Sequence, residues 1–134
     1  MITLRQAVAH VESSGRTSAV RYEPAYTPSP HSQQVFSQYN GWTDSLTIDT
    51  LLKSSFGKYQ IMADNLYNMM GYTKPLNEFW ATESEQDAIF QQFCVKIGYG
   101  AYTQTDVTQV PNLDNFARRY NGSIVYATSL LNVK

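Results

Sequence analysis

The apolar positions of the first fifteen residues recur with a helical period. Leu4, Ala7, Val8 and Val11 stand at i, i+3, i+4 and i+7, Thr3 and Gln6 have the spacing of a capping box, and Gly15 supplies a stop. The period then lapses. The stretch from Thr17 to Trp42 carries Pro24, Pro28 and Pro30 among many Ser, Thr, Gln and Tyr residues, and reads as loop with short strands. Leu46 to Lys53 predicts a short helix with Ile48, Leu51 and Leu52 on one side. Asp64 is placed to cap a helix bearing Leu66, Tyr67, Met69 and Met70, closed by Gly71, and Pro75 marks the break after it. The strongest pattern runs from Thr82 to about Ile97. There Thr82 and Glu85 have capping-box spacing, and Ile89, Phe90, Phe93, Cys94 and Ile97 form a continuous stripe ended by Gly98. Beyond a polar linker, Asn112 or Asp114 starts a helix with Leu113, Phe116, Ala117 and Tyr120 inward. Asn121-Gly122 breaks that helix, and Ser123 caps a last one carrying Ile124, Ala127, Leu130 and Leu131. The expected fold is mainly α (α+β), a helical domain with a small irregular or β-containing insertion after the first helix.

Length and composition narrow the function classes. A chain of 134 residues has room for one compact domain, 1–134, able to bury roughly two-thirds of its unfolded surface. Ten Lys+Arg against eleven Asp+Glu give a net charge of −1, which argues against nucleic acid as the main partner. A lone cysteine, Cys94, excludes an internal disulfide and, within its apolar stripe, reads as a buried packing residue. With only two histidines beside it, no metal site is expected, and no cofactor. Apolar runs are far shorter than the roughly 20 residues that span a bilayer, so no membrane insertion is expected. The segment MITLRQAVAHVESSG lacks the apolar core of a secretory signal. Ten tyrosines combine apolar faces with polar tips, a composition suited to carbohydrate.

Four segments contain side chains capable of chemistry. Glu12 falls in the last turn of the first helix, beside Val8 and Val11. The negative end of the helix dipole and partial burial both disfavour its charge, so a raised pKa is expected, as a general acid requires. The competing reading is a solvated surface glutamate. Glu23 follows in Arg21-Tyr22-Glu23-Pro24, where a chain reversal could bring both acids to one cleft, or where Arg16 or Arg21 could simply fix the loop. If both acids flank a sugar, carboxyls about 5 Å apart predict retention and roughly 6.5–9.5 Å inversion. Ser54 to Met62 contains Gly57, suited to a tight turn, and Gln60, whose amide can bond sugar hydroxyls or acetamido groups; its plainer reading is a turn into a helix. Arg118-Arg119-Tyr120-Asn121-Gly122 reads locally as a helix end.

In this order the segments resemble the lysozyme-like superfamily, which includes goose-type lysozymes and lytic transglycosylases. The closer resemblance is to the N-acetylmuramidases of phage endolysins. Glu12-Ser13-Ser14-Gly15, Arg21-Tyr22-Glu23-Pro24, Ser55-Phe56-Gly57-Lys58-Tyr59-Gln60-Ile61-Met62 and Tyr120-Asn121-Gly122 carry it over nearly the whole chain. The resemblance implies a lysozyme-like fold and cleavage of the β-1,4 bond between N-acetylmuramic acid and N-acetylglucosamine in peptidoglycan. Glu12 would be the general acid, Ser13 would orient it, Gln60 would hold substrate, and Tyr120 and Asn121 would line the cleft. Glu23 matches the second acidic position. Lys58 stands where lytic transglycosylases usually carry an apolar residue. The alternatives are a lytic transglycosylase giving 1,6-anhydro products and a non-catalytic glycan-binding module of a virion. The expected partner is peptidoglycan glycan, met outside the cytoplasmic membrane by a phage-released or virion-associated protein, or by one domain of a larger protein.

Overall fold

A computed structural model describes residues 1–134. Its elements are α1 (Leu4–Ser13), β1 (Val20–Tyr22), α2 (Ser32–Asn40), α3 (Ser45–Leu52), β2 (Ser54–Phe56), β3 (Ile61–Met62), α4 (Ala63–Asn68), α5 (Leu76–Ala81), α6 (Glu83–Lys96), α7 (Leu113–Asn121) and α8 (Val125–Leu131). Short 3-10 turns at Gly100–Tyr102 and Val107–Gln109 join α6 to α7. The class is α+β as expected, mostly helix with one three-stranded antiparallel sheet. None of the helices is long and apolar enough to cross a membrane.

The first helix forms as its sequence dictates. The Thr3 hydroxyl accepts from the Gln6 amide at 3.1 Å, and the Gln6 side chain accepts from the Thr3 amide at 2.9 Å. Leu4, Ala7 and Val8 are fully buried beneath it. The helix ends one residue before the expected glycine, because Ser14 already takes the left-handed conformation at φ 56°. α1 packs on α8, and α8 on α7. The stripe of α6 behaves as predicted, with Phe90 and Cys94 fully buried and Phe93 and Ile89 nearly so. Burial raises the Cys94 thiol pKa to about 12, leaving it an inert packing group.

The structure departs from the sequence reading in several places. Thr17–Trp42 is not all loop and strand: it contains α2, whose only fully buried apolar side chain is Phe36. One anchor in a nine-residue helix gives almost no periodic signal. The sheet is also not confined to the insertion after α1. That insertion supplies β1, while β2 and β3 come from the Ser54–Met62 segment, which folds as a hairpin and not merely as a turn into a helix. α5 follows directly on Pro75 and hides Leu76 and Phe79, a two-residue stripe too short to detect.

Three of the expected caps are absent. Thr82 makes no side-chain cap bond, and Glu85 turns away to Lys74 and to the Tyr72 hydroxyl. Asp64 lies inside α4, where it accepts from the Tyr26 and Ser32 hydroxyls and from the Ser29 amide, pinning the Pro-rich loop. Nor does Asn112 cap α7 with its side chain. In the last helix the buried set is Tyr126, Ala127 and Leu130, while Ile124 and Leu131 are exposed.

Candidate active site

The sheet positions the site through its register. Arg21 pairs with Ser55, and Ser55 with Met62, so these three side chains cross one face of the sheet in a row. That face forms the wall of a cleft of about 270 Å³, opposite the end of α1. The turn between β2 and β3 needs left-handed backbone at Gly57 (φ 83°) and at Gln60 (φ 53°). A Cβ on Gly57 would stand 2.5 Å from the Gln86 side-chain oxygen, so glycine is required for space as well as for conformation.

One peptide segment ties the end of α1 to this turn. The Ser13 hydroxyl donates to the Lys58 carbonyl at 2.8 Å and lies 3.1 Å from the Ala9 carbonyl. On the other side, the Lys58 amide donates to the fully buried Gln86 at 2.9 Å, and Gln86 donates in turn to the Thr17 and Trp80 carbonyls. Ser13 is therefore buried behind the cleft as a clamp, one residue from Glu12, and its hydroxyl does not line the cleft.

Glu12 occupies the junction of this cleft with a second recess of about 450 Å³. Its carboxylate accepts a hydrogen bond from the Tyr126 hydroxyl at 2.7 Å. The Tyr126 ring stacks on Tyr120, and Tyr120 on Phe116, at centroid distances of 6.1 and 5.4 Å. The Tyr120 hydroxyl donates to the Tyr59 carbonyl at 2.6 Å, locking this aromatic ladder to the β2–β3 turn. The donor to Glu12 is thus held by a rigid stack and not by a mobile surface chain.

Burial pushes the Glu12 pKa above the ordinary glutamate value. The Tyr126 hydrogen bond and the Arg21 charge pull it back, and the Glu23 charge adds to the rise, but burial dominates. Arg21 donates to the Glu12 backbone carbonyl at 3.3 Å and approaches the Glu23 carboxylate to 3.9 Å. It therefore bridges the two acids. The Glu23 backbone is fixed from both sides, its amide donating to the Lys53 carbonyl and its carbonyl accepting from the Tyr26 amide.

Glu12, Glu23, Gln60, Tyr120 and Asn121 all line this cleft, together with Tyr26 and Asn65. The Gln60 amide is partly engaged, donating to the Gly57 carbonyl and accepting from the Ser55 hydroxyl, so it can offer substrate one remaining hydrogen and one lone pair of its oxygen. Asn121 is exposed at the rim, and Tyr120 presents a ring edge, its hydroxyl being occupied. Sequence reasoning missed Tyr126, Met62 and Asn65. Keeping Ala127 and Leu130 but taking Tyr126 in place of Ile124 and Leu131 as the rest of the inward face of the last helix would have brought Tyr126 inward. The many tyrosines are mostly structural: Tyr59, Tyr67, Tyr72, Tyr99 and Tyr126 are buried, and among all ten only Tyr22 is freely exposed. No group of three or more His, Cys, Asp or Glu side chains is arranged to hold a metal ion.

Comparison with known proteins finds a relationship over nearly the full length of the chain. No family model matches the sequence, and no solved structure matches it. The endolysin of Enterobacteria phage PRD1 is 29% identical over 143 aligned positions, spanning 96% of this chain and 92% of that protein. The chain is thus similar over nearly its whole length to a phage endolysin, and it sets a half-buried glutamate at a helix end facing a three-stranded sheet.

Proposed function

We propose that this protein degrades peptidoglycan as a muramidase, cutting the β-1,4 bond between N-acetylmuramic acid and N-acetylglucosamine with Glu12 as general acid. The observation that carries this reading is the Glu12 carboxyl. It is set at the floor of a cleft, held by Tyr126 at 2.7 Å, and biased toward its protonated form by burial. The likeness to an endolysin supports cell-wall lysis as the broader activity. Glu12 gives its proton to the leaving glycosidic oxygen as positive charge develops at the muramic anomeric carbon. Arg21 holds the backbone of the acid, and Ser13 holds its helix end against the β2–β3 turn. Gln60 and Asn121 offer amides to sugar substituents across the cleft. Glu23, in the same cleft and electrostatically coupled to Glu12, is the carboxylate available to assist water.

One observation favours a second reading. Glu23 is already neighboured by the Arg21 guanidinium at 3.9 Å, which occupies one side of the carboxylate that would have to meet the water. In the transglycosylase alternative the muramic C6 hydroxyl attacks, and Glu12 alone serves as acid and then base. Digestion of purified sacculi followed by mass spectrometry separates the readings. The muramidase gives hydrated reducing ends, and the transglycosylase gives ends lighter by one water. Release of peptide fragments with intact glycan strands would overturn both.

A further inference from the structure

Arg16 differs from several other cations of the molecule. Arg21, Lys53, Lys58 and Lys74 all approach carboxylates, whereas Arg16 forms no ion pair. Its Nε donates to the Ser13 carbonyl at 3.0 Å, at the negative end of α1. Its backbone is held in turns on both sides, by its own amide to Ser13 and by its carbonyl to Ala19. No protein acceptor meets its two terminal nitrogens. The stem of the side chain is thus oriented while the guanidinium fork stays free, which lowers the entropy lost when an anion is clamped.

The fork borders the 450 Å³ recess, whose other polar walls are Glu12, Arg21, Ser18 and Gln60. With Glu12 in its protonated form this wall carries two guanidinium groups and no negative charge. The opposing carboxylate, Glu23, lies in the neighbouring cleft beside Arg21. A guanidinium fork with free N–H groups matches a carboxylate in bidentate geometry.

We infer that Arg16 is a specificity residue that binds a carboxylate carried on the O3 substituent of the muramic sugar being cleaved. The inference rests on the muramidase reading, since it takes Glu12 to mark the scissile bond. The muramic O3 substituent then lies within about one sugar ring of that carboxyl, on the order of the distance from Glu12 to the recess beside it. The carboxylate has two sources: the lactyl group itself in peptide-free glycan, or the stem peptide where the lactyl group is amide-linked.

The test compares three substrates: peptide-free glycan with its lactyl carboxylates, the same glycan with those groups converted to methylamides, and glycan with intact stems. Wild type, Arg16→Gln, Arg16→Lys and Arg118→Gln are assayed at low salt. Arg118→Gln removes the same charge from an exposed position outside the cleft. Arg16→Gln is expected to raise KM about two- to fivefold on a carboxylate-bearing glycan, the loss of one exposed charged pair, with kcat unchanged. It should leave the methylamide substrate unaffected. Arg16→Lys should restore part of the loss, and Arg118→Gln should match wild type. A loss on the peptide-free glycan identifies the lactyl carboxylate; a loss confined to intact stems identifies the peptide. Equal effects on charged and neutral glycan, or no effect on either, overturn the inference while leaving the muramidase reading intact. If wild type cleaves none of the glycans, the muramidase reading falls. Calorimetric titration with the charged and methylamide glycans then decides the inference. A carboxylate preference lost in Arg16→Gln sustains it, and equal or undetectable binding overturns it.

Discussion

Removal of the Tyr126 hydroxyl isolates the control of the Glu12 proton. Tyr126→Phe keeps the ring and its stack on Tyr120 but deletes the donor 2.7 Å from the Glu12 carboxylate. That hydrogen bond stabilises the charged form and opposes the rise produced by burial. Its loss therefore moves the Glu12 pKa further up. A hydrogen bond to a charged group contributes roughly 1.5–3 kcal/mol, and the half-buried position of Glu12 favours the low end. At about 1.4 kcal/mol per pKa unit, the shift is about one unit. A general acid acts in its protonated form, so its ionisation sets the alkaline limb of kcat/KM against pH. The alkaline limb of Tyr126→Phe should move about one unit to higher pH. The maximum should fall as well, because the carboxyl loses its orienting partner. Glycan reducing-end release measured from pH 4 to pH 9 gives both quantities. A limb that stays in place, or moves to lower pH, in a variant with unchanged thermal stability would refute the argument.

Further predictions follow from the supports of the cleft. Gly57→Ala meets the buried Gln86 at 2.5 Å and forces a left-handed alanine, so a loss of roughly 3 kcal/mol is expected. A melting temperature lower by roughly 10 °C should report it by circular dichroism, and a change under roughly 2 °C would contradict it. Ser13→Ala removes the clamp to the Lys58 carbonyl and should cost about 1–2 kcal/mol in urea unfolding, with kcat reduced more than KM. Glu12 also makes stability depend on pH. Its folded pKa lies above its unfolded value, so the native state holds the proton more tightly, and stability is lost as pH rises through the window between the two values. Glu12→Gln, still able to accept from Tyr126, should therefore gain stability over wild type at pH 7, a gain that vanishes below about pH 4. An equal difference at both pH values in urea titrations would disprove that assignment.

Much of the helical frame was legible because its signals are local. The Thr3–Gln6 capping box, the Leu4–Ala7–Val8 face and the Phe90–Phe93–Cys94 stripe all appear as their spacing predicts. The place of Glu12 at the end of the first helix was legible for the same reason, since the capping box and the Leu4–Ala7–Val8 face fix where that helix runs. What escaped notice depends on partners distant in sequence. Tyr126 meets Glu12 across 114 residues, and no local pattern announces that bond. The Ser54–Met62 hairpin is a sheet only because β1 pairs beside it, with Arg21 opposite Ser55. α2 and α5 carry too few buried anchors for periodicity to register, and Asp64 has a capping residue's chemistry but serves the loop through Tyr26 and Ser32.

The central claim is that one carboxyl at the end of α1 supplies the proton that breaks the glycan. The most direct measurement is glycan cleavage by purified Glu12→Gln on sacculi, with its fold verified by circular dichroism. Loss of at least about a thousandfold in reducing-end release is predicted, the contribution of a positioned general acid together with the charge it stabilises. Retention of more than about a tenth of wild-type activity would contradict it.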